Sequence, residues 1–468
     1  MYLNLENHNS NAIALIDSNG EQASFGDLIA HCQSIQVGLV ERPLVFALAQ
    51  NTVGFAAYLI ALLNHGAIPV ILPADLSNEL LTELEREYKP AYYLLPLTRE
   101  ADQPGTIQST YKDYCLKQTA FPVYDTNPEL EMLLSTSGST GSPKLVRFKR
   151  GNMENNAANV AEAFGWTSQE RGVISLPLNY VMGLNTFFTH LLVGATSLLT
   201  TTNLMDQSFW DFIRAEQATN FTGVPFSYEL LMRLHPERMD LSLKTFAQGG
   251  GKLSEKTFKK MGELAGLNNW NFVPTYGTTE TAARCSLLSP DLVKVKTLSI
   301  GKAIPNVELI LADEFDEPIT RPNVTGQLVI RGNNVAMGYA QSAVDLLNGD
   351  EWQGTYHTGD LAYFDEDGYF YITGRTKRFT KLLGNRIGLD ECELILKAKF
   401  NIEIACIGRE DSLHIIAEQQ ALNEELRIYL AGVLKLQPSL FRSHYRELLP
   451  RNDSGKILYR ELEDQYLS

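Results

Sequence analysis

The sequence predicts an α/β fold: mostly parallel sheets with helical crossovers, then a β-rich segment, then a small α+β unit. Three observations carry this. Short apolar runs of strand length alternate with helical stretches up to about residue 300. Beyond that point strands follow one another without long helices between them, and after Arg375 helices and strands mix again over fewer than ~100 residues.

The elements follow in order. Pro43–Leu48, Ala67–Leu72 and Tyr92–Leu95 are short and apolar, as buried strands are, and Val53–Leu63 between the first two is helical in pattern. Met132–Leu134 is a further strand. Gly172–Leu176, Ala195–Thr200 and Asn220–Gly223 continue the alternation. Val307–Ala312 and Gly326–Arg331 open the β-rich part. Tyr363–Phe364 and Tyr369–Thr373 flank Asp365-Glu366-Asp367-Gly368, an acidic turn ending in glycine, and read as a hairpin. The charged stretch Gly374–Lys381 is a candidate linker. Helices over Asp390–Lys399 and Asn423–Leu434, with strands over Ile402–Gly408 and Leu413–Ala417, make the last unit.

Composition bounds the function. The 468 residues are 44% hydrophobic and 20% charged, which is globular and long enough for two or three domains. Asp and Glu number 55 against 40 Lys and Arg, a formal charge of −15, so neither nucleic acid nor an anionic membrane is an expected partner. The five cysteines are odd in number and lack C-x-x-C spacing, which fits a reducing cytoplasm better than a disulfide or zinc framework. Met1–Asn11 has no basic region leading into an apolar run, so no secretory signal is read. The apolar run Phe55–Leu63 is too short for a membrane span.

One segment carries most of the chemistry. After the strand Met132–Leu134 come nine small, hydroxyl, Gly or Pro residues, Ser135 to Pro143, and then Lys144. Glycines let backbone N–H groups converge on an anion, while hydroxyls and an ammonium add donors, which suits a polyphosphate. The same composition suits a flexible linker. The spacing fits neither the G-x-x-x-x-G-K-[ST] loop nor the G-x-S-x-G elbow. Four more motifs follow in order: Tyr276-Gly277-Thr278-Thr279-Glu280-Thr281 after an apolar strand, His357-Thr358-Gly359-Asp360 before the hairpin, Gly374-Arg375-Thr376-Lys377-Arg378 with Gly384-Asn385-Arg386-Ile387, and Pro450-Arg451-Asn452-Asp453-Ser454-Gly455-Lys456 near the C-terminus.

This ordered set resembles the adenylate-forming superfamily of acyl- and aryl-CoA synthetases, peptide-synthetase adenylation domains and luciferases. The resemblance spans nearly the whole chain, including Gly249-Gly250-Gly251 and Gly326-Gln327-Leu328 through Gly338-Tyr339. It implies a large N-terminal domain of mostly parallel sheets with a β-barrel-like subdomain at about 300–375, and a small mobile C-terminal domain over 376–468 with its hinge near Lys377. It further implies that Thr136, Ser137, Gly138, Ser139, Thr140, Gly141 and Lys144 wrap the ATP phosphates. Gly249, Gly250, Gly251 and Tyr276 hold adenine within a motif continued by Gly277 and Thr278. Thr279 contacts phosphate and Glu280 binds Mg²⁺. Asp360 holds the ribose with help from Arg375. Lys456 bridges the acyl carboxylate and α-phosphate, and Gly384 helps form the thiol channel.

The implied activity is ATP-dependent activation of a carboxylic acid as acyl-AMP, then transfer to a thiol. The acceptor is CoA, or alternatively the phosphopantetheine of a separate acyl carrier protein, because only Ile457–Ser468 follow Lys456. A non-catalytic nucleotide- or acyl-binding homologue and a luciferase-type oxidation are competing readings, and the retained Glu280, Asp360 and Lys456 argue against the first. Tyr180, Val181, Met182 and Phe226 are the candidate acyl pocket. Val181 stands where amino-acid-activating relatives carry an aspartate for the substrate ammonium, so an acid without an α-amino group is expected; an ammonium left unpaired there would cost ~3–5 kcal/mol. Leu145, Pro274 and Leu389 depart from the usual family text without removing a charged group.

Overall fold

The computed structural model describes residues 1–35, 42–135, 144–238, 241–376, 378–383, 385–409, 412–452 and 457–467. Two large sheets dominate. In the first, the strand order is Lys302–Ala303, Ser286–Leu287, Asn271–Tyr276, Thr245–Gln248, Asn220–Gly223, Arg171–Ile174, Thr196–Leu199, Ile13–Asp17, Gln22–Ser24. Its interior is parallel and its edge pairings are antiparallel. The second runs Gly338–Ala340, Leu145–Lys149, Leu130–Ser135, Ile68–Pro73, Leu44–Ala49, Tyr92–Pro96, Tyr114–Gln118, Thr106–Tyr111, with a parallel centre.

The helices Val53–Asn64 and Val181–Leu192 are apolar nearly all round because they lie between the sheets. One core joins Val45, Ile71 and Leu134 of one sheet to Leu15, Ile174 and Leu199 of the other through these helices. On the outer faces, Leu81 and Leu84 of Asn78–Tyr88 pack on Phe46 and Tyr93. Phe209, Tyr228, Phe258 and Met261 of three further helices pack on Phe246 and Phe272. Side-chain caps start several helices: Thr52, Ser77 and Ser254 each accept a backbone N–H of the first turn.

The β-rich part is an antiparallel four-stranded sheet, Val307–Ala312, Gly326–Gly332, Thr355–Phe364 and Phe370–Arg375. Among the described residues no pairing closes it into a barrel. His357–Asp360 lies inside the strand Thr355–Phe364 and not ahead of it; the strand absorbs the positive φ of Gly359 beside a register shift at Leu361/Ala362. The candidate linker also shrinks. Gly374 and Arg375 complete one strand and Phe379–Leu382 is the next, so only residues 376–378 lie between them. The last unit builds its own core from Leu396, Cys406, Ile415, Leu426 and Leu430. All five cysteines are buried free thiols. Among the described residues no helix is long and apolar enough to cross a membrane.

Candidate active site

The motif after the strand Asn271–Tyr276 is held by a tight return of the chain. A Cβ on Gly277 would stand 1.2 Å from the Ala283 carbonyl oxygen, so only glycine fits. Thr278 starts the short turn Thr279–Thr281. The amides of Asn156 and Asn334 fix its exit by donating to the Thr281 carbonyl. Tyr276 and Glu280 are thereby presented from one rigid segment.

Tyr276 points to the β-rich sheet. Its hydroxyl donates to Asp360 Oδ2 at 2.5 Å, and Arg375 Nε donates to Asp360 Oδ1 at 2.8 Å. Asp360 is buried, 4% exposed, and Thr358 Oγ1 accepts its backbone N–H. Burial and the Asp360 charge hold the Tyr276 phenol well above its ordinary pKa, while Asp360 raises that of Arg375. A carboxylate offers about four lone-pair sites, so with two bonds made Asp360 still has capacity for hydroxyl donors. The bond to Asp360 also anchors the hydroxyl end of the Tyr276 side chain.

Glu280 points the other way. The Tyr339 hydroxyl donates to Glu280 Oε1 at 2.7 Å and lies 3.3 Å from the Tyr356 hydroxyl. Lys144 Nζ stands 5.5 Å over the Tyr339 ring. Burial, then the Glu280 charge, pushes both phenols up. Trp352 packs on both rings, at 5.0 and 4.8 Å between centroids. Lys144, an exposed cation at the end of the expected phosphate segment, and Glu280, a half-buried carboxylate, thus share one tyrosine. A single carboxylate with oxygen-only donors suits a hard cation shared with phosphate oxygens. Tyr339 and Tyr356 were not singled out as site residues by sequence reasoning. The available signals were the Gly338-Tyr339 pair and the tyrosine preceding His357-Thr358-Gly359-Asp360.

Tyr180, Val181 and Met182 begin the helix Val181–Leu192 and pack against the glycines after Thr245–Gln248. A Cβ on Gly249 would meet Met182 Cε at 2.5 Å. Gly250 has φ +77° and leaves room for the Tyr180 hydroxyl, which a Cβ there would approach to 2.5 Å. Gln248 Nε2 donates to the Gly251 carbonyl at 2.8 Å. Burial raises the Tyr180 phenol to about 12. Phe226 lies on a helix surface, 41% exposed, with the Arg451 guanidinium 6.0 Å from its ring.

A further residue here escaped sequence reasoning. Arg284, four positions beyond Glu280, is fully buried. It donates to Asn185 Oδ1 (3.1 Å), Thr186 Oγ1 (3.2 Å) and Thr222 Oγ1 (2.9 Å), and lies 5.4 and 5.9 Å from the Phe164 and Trp166 rings. Its one signal is a charge in the otherwise small Thr281-Ala282-Ala283-Arg284-Cys285 run. The expected site residues Thr136, Ser137, Gly138, Ser139, Thr140, Gly141, Lys377, Gly384 and Lys456 lie outside the described residues.

A family model described as AMP-binding enzyme matches residues 4–340. A 2-succinylbenzoate–CoA ligase of Bacillus cereus is 26% identical over 480 residues, covering 96% of this chain and 94% of the relative. The solved o-succinylbenzoate CoA synthetase from Bacillus subtilis, in complex with its acyl-adenylate intermediate, matches with a TM-score of 0.78 at 22% identity, covering 99% of this chain and 98% of that one. The same enzyme in complex with ATP and magnesium ion gives 0.77 at 21%, covering 99% of each. The likeness to these structures establishes the fold.

Proposed function

Because the chain belongs to the AMP-binding enzyme family, we propose that it uses ATP to activate a carboxylic acid as acyl-AMP, releasing pyrophosphate, and then passes the acyl group to the thiol of CoA. The observation that carries this is the two-sided presentation of Tyr276 and Glu280, one against Asp360 and Arg375, the other against Tyr339 beside Lys144. On this reading Tyr276 stacks on adenine, with Gly249, Gly250 and Gly251 at its edge, and Asp360 accepts the ribose hydroxyls. Gly277, Thr278 and Thr279 set the turn toward phosphate. Thr136, Ser137, Gly138, Ser139, Thr140, Gly141 and Lys144 surround the β- and γ-phosphates, and Glu280 holds Mg²⁺. When bound, that ion offsets phosphate charge as the acid carboxylate approaches. Lys456 reaches the carboxylate and α-phosphate together.

The substrate is an acid without an α-amino group, aryl or otherwise. Val181 offers an ammonium no partner, and the buried Arg284 cation repels one. The Bacillus cereus relative, named for joining 2-succinylbenzoate to CoA, acts on such an acid. A phosphopantetheinyl arm on a separate carrier protein presents the same thiol as CoA, and saturation kinetics with CoA against a loaded carrier separate the two. We place the protein in the reducing cytoplasm on its five free thiols.

We also place the domain boundary at 375/376 with the hinge at Lys377 and Gly384 at the thiol channel. Arg375 is tied to Asp360. Three residues on, Arg378 pairs with Asp390 and with Glu393 at 2.8 Å and lies 3.5 Å over the Tyr459 ring. The deciding assay is acid-dependent pyrophosphate release with ATP and Mg²⁺ over aryl, fatty, β-keto and amino acids, with and without CoA. The expected result is one responsive acid class, a CoA-dependent rise, and a loss of ~10²–10³ in Lys456→Ala. Preferential activation of an α-amino acid would overturn the substrate assignment.

A further inference from the structure

Arg147 is out of keeping with its strand. Leu145–Lys149 is apolar except at this position and at its end, and alternation puts Leu145, Arg147 and Lys149 on one face. Val146 and Phe148, on the other face, belong to the core between the sheets, while Leu145 packs in the outer core with Met337, Ala340 and Leu346. Arg147 is 0% exposed there. An apolar side chain would fill such a place without desolvating a charge, and exchanging a buried ion pair for apolar residues is often neutral or stabilising. The guanidinium is accounted for by what it holds.

It holds two segments at once. Nε donates to the Tyr339 carbonyl at 3.1 Å, and Nη1 donates to the Asn348 carbonyl at 2.6 Å and the Gly349 carbonyl at 3.3 Å. Nη2 lies 2.9 Å from Glu351 Oε1. Gly338 leaves space for the guanidinium, because a Cβ there would stand 2.7 Å from Nη2. Lys149, two residues along the same face, ties the same turn a second time. Its Nζ lies 2.6 Å from Asp350 Oδ2, and Asp350 Oδ1 accepts the backbone N–H groups of Trp352 and Gln353. A rigid fork of five donors grips several carbonyls in one geometry, which the single ammonium of a lysine does not.

The two segments support the tyrosine that meets Glu280. Gly338–Ala340 is an edge strand of three residues, so its own ladder is short, and Arg147 adds a bond to the carbonyl of Tyr339 itself. The clamped turn presents Trp352, whose ring lies 5.0 Å from that of Tyr339 and 4.8 Å from that of Tyr356. The Tyr339 hydroxyl then reaches Glu280 at 2.7 Å. Contact thus runs from Arg147 to the Glu280 side of the motif. The Tyr276–Asp360 pair lies on the other side, and among the described residues Arg147 makes no bond to it.

We infer that Arg147 is a positioning residue for the magnesium and phosphate side of the site: it fixes the Tyr339–Trp352 wall that orients Glu280. This rests on the adenylating function proposed above and deepens it. Being fully buried, Arg147 acts through these groups and not by contact with nucleotide or metal. Groups behind a metal ligand set its orientation, and their loss weakens the metal without touching it. The same strand begins directly after Lys144, so one element carries a cation toward phosphate at its start and the clamp at its middle.

The test is calorimetric titration of the full chain, with no acid present, by ATP plus Mg²⁺, ATP plus EDTA, and AMP, in wild type, Arg147→Met and Arg147→Lys, beside urea unfolding of each. Arg147→Met should weaken MgATP about 10-fold, the lower end of the loss when groups behind a metal ligand are removed, with metal-free ATP and AMP within about twofold of wild type. Arg147→Lys keeps the charge without the fork and should fall between. An equal fall for all three ligands, or a fall for none, in folded Arg147→Met overturns the inference and makes Arg147 a packing residue. If Arg147→Met does not fold, Lys149→Met, which breaks the more exposed half of the clamp, decides by the same comparison: a selective loss of MgATP supports the inference, and unchanged or uniformly weakened binding overturns it. If wild type gains nothing from Mg²⁺, the Glu280 assignment and this inference fall while nucleotide binding stands. If wild type binds neither ATP nor AMP, the proposed function falls with them.

Discussion

Asp360→Ala tests the nucleotide side of the site at one atom pair. The carboxylate is 4% exposed and accepts the Tyr276 hydroxyl at 2.5 Å and Arg375 Nε at 2.8 Å. Truncation leaves the Tyr276 hydroxyl buried without its acceptor, which costs ~1–3 kcal/mol. The Arg375 side chain is 61% exposed, so water takes over its lost partner and that pair adds at most ~1 kcal/mol. A stability loss of ~2–3 kcal/mol in urea unfolding follows. Nucleotide binding falls in addition, because hydroxyl donors to an ionised acceptor are worth ~1.5–3 kcal/mol, or about 10- to 100-fold in affinity. Calorimetric titration with AMP reads this directly. Asp360→Asn keeps an acceptor for Tyr276 but loses the charge, and falls between the two. If Asp360→Ala loses stability yet binds AMP within twofold of wild type, Asp360 only braces Tyr276 and the ribose assignment is wrong.

Three other outcomes are expected. Tyr339→Phe removes the 2.7 Å bond to Glu280 but keeps the ring beneath Lys144; KM for MgATP should rise ~10-fold while AMP affinity stays unchanged in calorimetry. Gly277→Ala places a methyl carbon 1.2 Å from the Ala283 oxygen and should cost at least ~3 kcal/mol in urea unfolding, because backbone must move. His190 is buried between the Thr186 carbonyl (2.7 Å) and Asn220 Nδ2 (3.0 Å), and burial depresses it to about 4 from 6.5. Below 6.5 the unfolded chain binds the proton that the folded one refuses, so stability present above 6.5 is lost as pH falls toward 4, by up to ~3 kcal/mol; His190→Gln should flatten the urea-derived pH profile by that amount.

The local structure was legible wherever one segment decided it. Val307–Ala312 and Asn423–Leu434 lie where their patterns put them, and the acidic turn Asp365–Gly368 joins the two strands it signals. Strand order was not legible. Nothing near Ile13–Asp17 announces that it pairs with Thr196–Leu199, because that register is set by a core shared across the chain. The motif residues Tyr276, Glu280 and Asp360 could be named from the resemblance that their ordered motifs bear to the adenylate-forming superfamily. Their supports could not: Tyr339 meets Glu280 across 59 positions and Arg284 meets Asn185 across 99. A tyrosine and an arginine carry no sign of such partners until the fold supplies them.

The strand that carries Tyr339 is only three residues long, Gly338–Ala340, and pairs antiparallel with the strand that begins just after Lys144. In a strand every second side chain faces the same way, so a shift by one residue would turn Tyr339 to the opposite side. The spacer between Gly332 and Gly338 therefore works as a length gauge. Single-residue insertions or deletions there would leave the sheets intact while separating Glu280 from its tyrosine. In a variant library the spacer should resist changes of length and, because Asn334, Val335, Ala336 and Met337 are all buried, changes of residue type as well, although it touches no expected ligand.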